Sequence, residues 1–271
     1  MSESKSPSDD PDTPDEALPP REKAMGFWEH LEELRGTIIK SVVVFVLFAG
    51  LIGYFIQEFH HVMIGPLLSV QAAHPELAFE QLGTNKITEI FSMIIQMCVL
   101  GGLVLAAPFI LFFIGQFVSP ALTKKELSAV LPMCIAALIL FLMGAAFGFF
   151  LLLPTTIETA IQLHGVFSLV ARWTVNDYYT TLSWLVLGVG ASFEFPLLII
   201  LMVWMGIMTT AFLRKYRRHA IVVILILAAL ITPSSDPMTL TIFAVPLYVL
   251  YEAAILVGIR VEKNRERRLM G

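Results

Sequence analysis

Charge is scarce in this chain. Only 15% of its 271 residues are Asp, Glu, Lys or Arg, against about a quarter in a soluble domain. Cysteine is scarcer still. Cys98 and Cys134 are the only two, and both sit inside apolar runs. With no C-x-x-C and no Cys/His cluster, neither a disulfide framework nor a metal site is indicated. H-E-x-x-H, nucleophile-elbow and P-loop patterns are all missing. The six histidines make no ligand pattern, and the adjacent His60-His61 pair falls at the end of an apolar run. An intramembrane hydrolase is therefore disfavoured, and no cofactor is called for. No internal repeat is evident, so the inverted-repeat sign of many solute transporters is absent as well. What takes the place of charge is hydrophobicity: 57% of residues are apolar and the mean hydropathy is +0.78. Concentrated in long runs, that excess indicates an integral membrane protein.

The first 24 residues differ from the rest. MSESKSPSDDPDTPDEALPP is rich in Ser, Pro and Asp. It has too few apolar residues to pack and reads as a disordered acidic tail. It also lacks the apolar core of a cleavable signal peptide. Residues 25–262 then form the membrane domain, and 263–271 a basic tail. A spanning helix needs about 20 apolar residues. Four runs reach that length, at about 37–56, 87–116, 128–153 and 178–205. Two shorter ones follow, at about 219–232 and 238–259. The expected fold is all-α: six transmembrane helices in a concave, cup-like arrangement, the last two spans short. The fifth run, at 1.5 Å per residue, reaches roughly 21 Å, less than the hydrocarbon core of about 30 Å. One side of the cup is then low, with the ITPSSDP turn below the outer surface.

Basic residues set the orientation, because they stay on the cytoplasmic side. Of the 18 Lys and Arg residues, all but Lys86 and Arg172 fall in the tails, the 2–3 loop or the 4–5 loop. Both termini are thus expected in the cytoplasm. Gly144 and Gly148 form a small-xxx-small pair suited to close helix contact. Pro108, Pro132, Pro196 and Pro246 lie within or near spans, where each favours a kink.

Ahead of the first span, MGFWEHLEELRGT carries Phe27, Leu31, Leu34 and Ile38 at helical spacing. It reads as an amphipathic helix lying at the interface before it turns inward. Its other face holds Glu29, Glu32 and Glu33, with Glu32 placed to pair with Arg35. That face is either a solvated surface or an acidic dock for a cationic ligand, Arg best, whose planar fork matches a carboxylate. In the 2–3 loop, QFVSPALTKKEL, Glu126 stands near the start of the third span, where a carboxylate favours a helix N-terminus. Phe117 reads as an interfacial aromatic anchor.

Glu194 is the one acid in GVGASFEFPLLIILMVW. A lipid-facing carboxylate at that depth costs at least about 2.5–3.5 kcal/mol. It must therefore face the interior, either as glue between helices or as a polar contact for a partner helix. Pro196 frees the carbonyl of Ser192 and favours a bend there. Glu252, in the last run, reads as snorkelling or pairing with Arg260. Intramembrane Glu194 and Asp236 also fit a secondary transporter or ion channel, the rival reading.

Taken together, HLEELR (30–35), IGPL (64–67), FVSPALTKKE (117–126), GASFEFP (190–196), WMGI (204–207), LRKYR (213–217), ITPSSDP (231–237) and AVPLYVLYE (244–252) resemble TatC, the multispanning component of the twin-arginine protein translocase. The similarity runs from about residue 25 to 262. It implies a core translocase subunit of the bacterial inner membrane and not an enzyme. Such a subunit binds twin-arginine signal peptides of folded precursors and works with TatA- and TatB-type single-span proteins. It associates with itself in a larger complex, takes no nucleic acid, and is driven by the proton motive force. The resemblance implies that Glu33 and Glu126 bind the two arginines, with Phe117 beside them and Arg35 in the entry motif. Glu194 matches the intramembrane polar position, and Pro66 and Asp236 match functional positions on the outer side. Thr37 and Leu240 depart from the family pattern, where a basic residue and a Gln are usual.

Overall fold

Proline and glycine decide where this helical chain breaks and how closely its helices approach. The computed structural model describes residues 27–73, 82–118, 127–169, 172–232 and 236–270. The acidic tail and Glu126 lie outside them. Among the described residues there are eleven α-helices, one π-helical turn and no strand. Five stretches are long and apolar enough to cross a membrane: 28–54, 88–117, 130–166, 175–205 and 237–265.

The first is α1, Phe27–Tyr54, a single helix. The sequence suggested an interfacial segment that turns before entering the membrane, and that expectation is corrected here. Nothing between Glu33 and Ile38 breaks the ladder, since Gly36 costs only about 1 kcal/mol in a helix and no proline intervenes. Glu32 and Arg35 are both exposed, and no ion pair joins them among the described residues. After α1 come two short helices, α2 (Ile56–Met63) and α3 (Gly65–Ala73), and then α4 (Thr88–Val118). α1 lies along α4 so closely that a Cβ on Gly102 would stand 2.9 Å from the Ala49 backbone.

The third span runs through α5 (Leu127–Phe147), the π turn Gly148–Leu152 and α6 (Leu153–Val166). Pro154 has no N–H to give, and the ladder widens just ahead of it. α7, Val175–Phe193, starts at a capping box: Thr174 Oγ1 accepts from Asp177 N while Asp177 accepts from Thr174 N. α7 is the central helix, with Tyr179, Leu182, Leu185 and Val189 fully buried. It packs against α4, α5 and the π turn. Gly144 and Gly148 make the α5 side of that contact. A Cβ on Gly144 would lie 2.7 Å from Phe193 Cγ and 2.9 Å from the Val189 carbonyl oxygen. One on Gly148 would lie 3.1 Å from the Leu185 carbonyl. The small-xxx-small pair therefore works as its spacing suggested.

At Glu194 the fourth span breaks, and α8 (Phe195–Met205) sets off anew. Gly206 ends α8 in the left-handed region, φ 77°. Two shorter helices follow, α9 (Thr210–Lys215) and α10 (Arg217–Ile231). The 15 residues of α10 reach roughly 22 Å. α11 runs from Pro237 to Met270, 34 residues. The sequence suggested that the last two spans are short; for the one in α11 this is wrong, because 237–265 is a candidate span of 29 residues. Pro246 removes one backbone bond without ending the helix, and the charged run after Ile259 is made of good helix formers, so the helix continues through it.

At the end of the bundle carrying α2 and α3, tyrosines of α7 hold the cap down. Tyr178 donates to the Met63 carbonyl at 2.7 Å, and the Tyr179 hydroxyl meets His60 Nδ1 at 2.5 Å. Gly83 bridges to the start of α7 through Val175 N, 2.9 Å from its carbonyl. Burial, and after it the neighbouring His61, holds His60 below its usual 6.5.

Gly144→Ala is expected to destabilise the protein by roughly 1–3 kcal/mol, read as a lower melting temperature in detergent. Gly165→Ala, with nothing within 4 Å of the new methyl, should not. The His60 shift also carries a pH dependence. A base whose folded pKa is lowered stabilises the fold only while neutral. Its contribution is complete above about pH 6.5 and is lost as pH falls through the lowered value. Melting curves from pH 8 to pH 5 should fall more for wild type than for His60→Gln.

Candidate functional site

Three side chains from two helix ends meet opposite the α2–α3 cap. His30 and Glu33 lie one turn apart near the start of α1, and Phe117 is on the last turn of α4. The His30 and Phe117 rings stack, with centroids 4.4 Å apart and planes 18° from parallel. Glu33 Oε2 is 4.0 Å from His30 Nδ1, too long for a hydrogen bond. That oxygen is closed to solvent and has no hydrogen-bond partner among the described residues. Two of the expected site residues, Glu33 and Phe117, are thus brought together. Arg35 is on the same helix and exposed. His30 was not singled out from sequence. Its spacing from Glu33 was visible there, but its stacking partner lies on another helix.

Glu194 is the hinge residue between α7 and α8. Pro196 cannot bond the Ser192 carbonyl, and Glu194 N turns instead to Ala191 O at 3.1 Å. The half-buried carboxylate lines a cavity of about 320 Å³ between α4, α5 and α8. Its neighbours there include Gly115, Cys134, Leu197 and Trp204, and the walls are almost wholly apolar. Glu194 Oε1 is buried with no hydrogen-bond partner. A second groove of about 520 Å³ lies between α5, α8 and α11, and shares Met133, Leu197 and Trp204 with the first. Unspent acceptor capacity at the junction of two apolar grooves suits a polar group arriving on another apolar helix.

Glu252 and Glu262 are committed to structure. Glu252 does not pair with Arg260, as its sequence position suggested. It binds Arg217 on α10 at 2.7 Å and accepts from the Tyr248 hydroxyl at 3.0 Å. Arg260 lies two turns on, about 12 Å along α11, whereas Arg217 opens the helix packed across from it. Glu262 accepts from Thr210 N at 3.1 Å and from the Thr210 hydroxyl. Tyr251 donates to the Leu213 carbonyl at 2.9 Å. Together these bonds clasp the α8–α10 connection to α11.

Pro66 is buried in the first turn of α3, its carbonyl accepting from Ser69 Oγ at 2.7 Å. Asp236 is half-buried and caps α11, with Oδ2 accepting from Thr239 N at 2.8 Å. Polar residues the sequence did not bring forward also join α4 to α7: Gln96 Nε2 donates to Asn176 Oδ1 at 3.2 Å and to Thr180 Oγ1 at 3.0 Å. No cluster of His, Cys, Asp or Glu able to hold a metal is present among the described residues.

This architecture has known counterparts. Residues 29–246 match the family model described as Sec-independent protein translocase protein (TatC). The chain belongs to the TatC family. It is 34% identical to the Sec-independent protein translocase protein TatC of Koribacter versatilis over 91% of this chain and 90% of that one. It is 31% identical to the TatC of Aquifex aeolicus, covering 89% of this chain and 98% of the relative. Among solved structures, a crystal structure of the twin-arginine translocase receptor TatC in DDM superposes with a TM-score of 0.73 at 29% identity. It covers 85% of this chain and 99% of that one. TatC is a component of a protein translocase, and membership of the family places the chain in the Tat translocase and in a membrane it crosses several times.

Proposed function

We propose that this TatC-family chain is the signal-peptide receptor and organising core of a twin-arginine translocase. It crosses the bacterial inner membrane six times, α10 being the short fifth span, with both termini in the cytoplasm. Glu33 and Glu126 receive the two arginines of a folded precursor's signal peptide. Phe117 offers the aromatic face beside them, and Arg35 belongs to the same entry surface. TatA- and TatB-type single-span proteins assemble on the chain, with Glu194 as their polar contact within the membrane, and export draws on the proton motive force. Pro66 and Asp236 serve the opposite, outer face.

One observation carries most weight for this reading: Glu33 keeps a carboxylate oxygen with no hydrogen-bond partner, next to the His30 ring that stacks on Phe117. A guanidinium is the side chain that satisfies both, forking onto the acid and stacking on the ring. The sheltered Glu194, with its own unpaired oxygen in an apolar cavity, supports a partner helix bearing a polar group. A carboxylate oxygen buried without a hydrogen bond is costly, so a use for it is the economical account.

Glu33→Gln and Glu126→Gln should each weaken binding of a synthetic twin-arginine peptide, and more so together. A twin-lysine peptide should bind less well than twin-arginine, because the fork is lost. Binding by the double variant at the wild-type level, in a titration of purified protein, would rule out the paired-acid site. Glu194→Ala should reduce cross-linking to the spans of single-span partners while leaving the melting temperature near wild type. Unchanged cross-linking would remove Glu194 from the partner contact.

A further inference from the structure

The place that an arginine side chain would take beside Glu33 is already filled. The His30 imidazole covers one face of Phe117, nearly parallel at 4.4 Å. The same ring turns Nδ1 toward Glu33 Oε2, 4.0 Å away. The oxygen is closed to solvent and accepts no hydrogen bond among the described residues. A guanidinium that is to stack on this face of Phe117 finds the imidazole in its place. Imidazole and guanidinium share the properties such a place selects. Both are planar and conjugated, and both carry N–H donors on their edge.

We propose that His30 is a built-in stand-in for an arginine, and that its ring must leave Phe117 before a signal-peptide guanidinium can stack there and fork onto Glu33. The proposal rests on the reading of Glu33 and Phe117 as signal-peptide residues. The displacement has room: the His30 side chain is 45% exposed and sits on the first turn of α1. At 4.0 Å the imidazole has not closed a hydrogen bond to the acid, so little beyond the ring stack holds it. Leaving forfeits that stack, and an arginine replaces it with its own stacking plane and a bidentate bond. A ligand without a flat cation, such as an alkylammonium, regains only the charge contact. His30 thus sets a threshold of affinity that an incoming peptide has to exceed. If His30 were instead a prop for Phe117, its truncation would weaken binding; the two roles differ in sign.

The test uses the purified full-length chain in detergent, titrated with a fluorescent twin-arginine peptide. His30→Ala should bind it about three- to tenfold more tightly, the value of one aromatic stack. His30→Phe, which keeps a ring on Phe117 but offers no N–H, should bind no more tightly than wild type. In spectra of histidine-labelled protein, the resonances absent from His30→Ala should lose their Phe117 ring-current shift as peptide saturates. Should the alanine variant melt early, His30→Gln, which removes the ring and keeps a polar edge, must tighten binding in its place. Weaker or unchanged binding in a variant that melts like wild type overturns the proposal, as do His30 resonances that stay put at saturation. Glu33→Gln in the same titration separates the two levels. Undiminished binding there refutes the site itself and the stand-in with it. Lost binding there beside an unaffected His30→Ala refutes the stand-in alone.

Discussion

A helix in lipid has no water to satisfy a backbone group that its own ladder leaves out, and Pro196 forces the ladder to be rearranged. The Ser192 carbonyl takes a backbone N–H at the cap in place of its expected donor, and the fourth span divides into α7 and α8 with Glu194 at the joint. Much of the molecule follows from that division. α7 stays pressed on α5 through two glycines, while α8 departs from α5 and runs beside α11. The separation opens apolar grooves on either side of α8, and the hinge acid projects into one of them. A straight helix would have buried the same carboxylate against α5 or turned it to lipid. The break gives it a sheltered third location.

The distribution of burial is that of a protein solvated by hydrocarbon. α7 is packed on several sides, but the α1 side chains Val42, Val43, Val46 and Leu47 are all more than half exposed. In water such a surface would aggregate; among lipid tails it carries no penalty. Polar bonds are placed accordingly. They gather at the two ends of the bundle and in the α4–α7 seam, where Gln96 reaches Asn176 and Thr180. The clasp of Glu262, Tyr251 and Glu252 onto α9 and α10 ties the short helix to the longest one. α10, with only Ile224, Ala228 and Ile231 buried, depends on that tie for its position.

Most of the helices were legible in the sequence, because runs of apolar residues leave few alternatives in length or type. The Gly144–Gly148 contact and the break before Pro196 were legible for a second reason: both arise from backbone chemistry that a single residue dictates. Expectations failed where the outcome depended on what lies across the bundle. Glu252 pairs with Arg217 because α10 and α11 pack together, which no local spacing reveals. Nothing in α1 announced that its amphipathic start would continue straight into the span, since Gly36 permits either course. The apolar run alone makes the last helix look short, although helix propensity continues into the charged residues beyond. At the candidate site, Glu33 stood out by family resemblance. His30 did not, because its neighbour on α4 comes from a distant part of the chain.

The close seam between α1 and α4 has a geometric consequence at their ends. Ala49 packs directly on a glycine, Gly102. The ring of His30 is carried by one helix and the ring of Phe117 by the other. A shift of a single residue along the seam is about 1.5 Å, comparable with the radius of an aromatic ring, and would carry one ring off the face of its partner. The overlap of the two rings is thus fixed, like a vernier, by the alignment of the long rods that bear them.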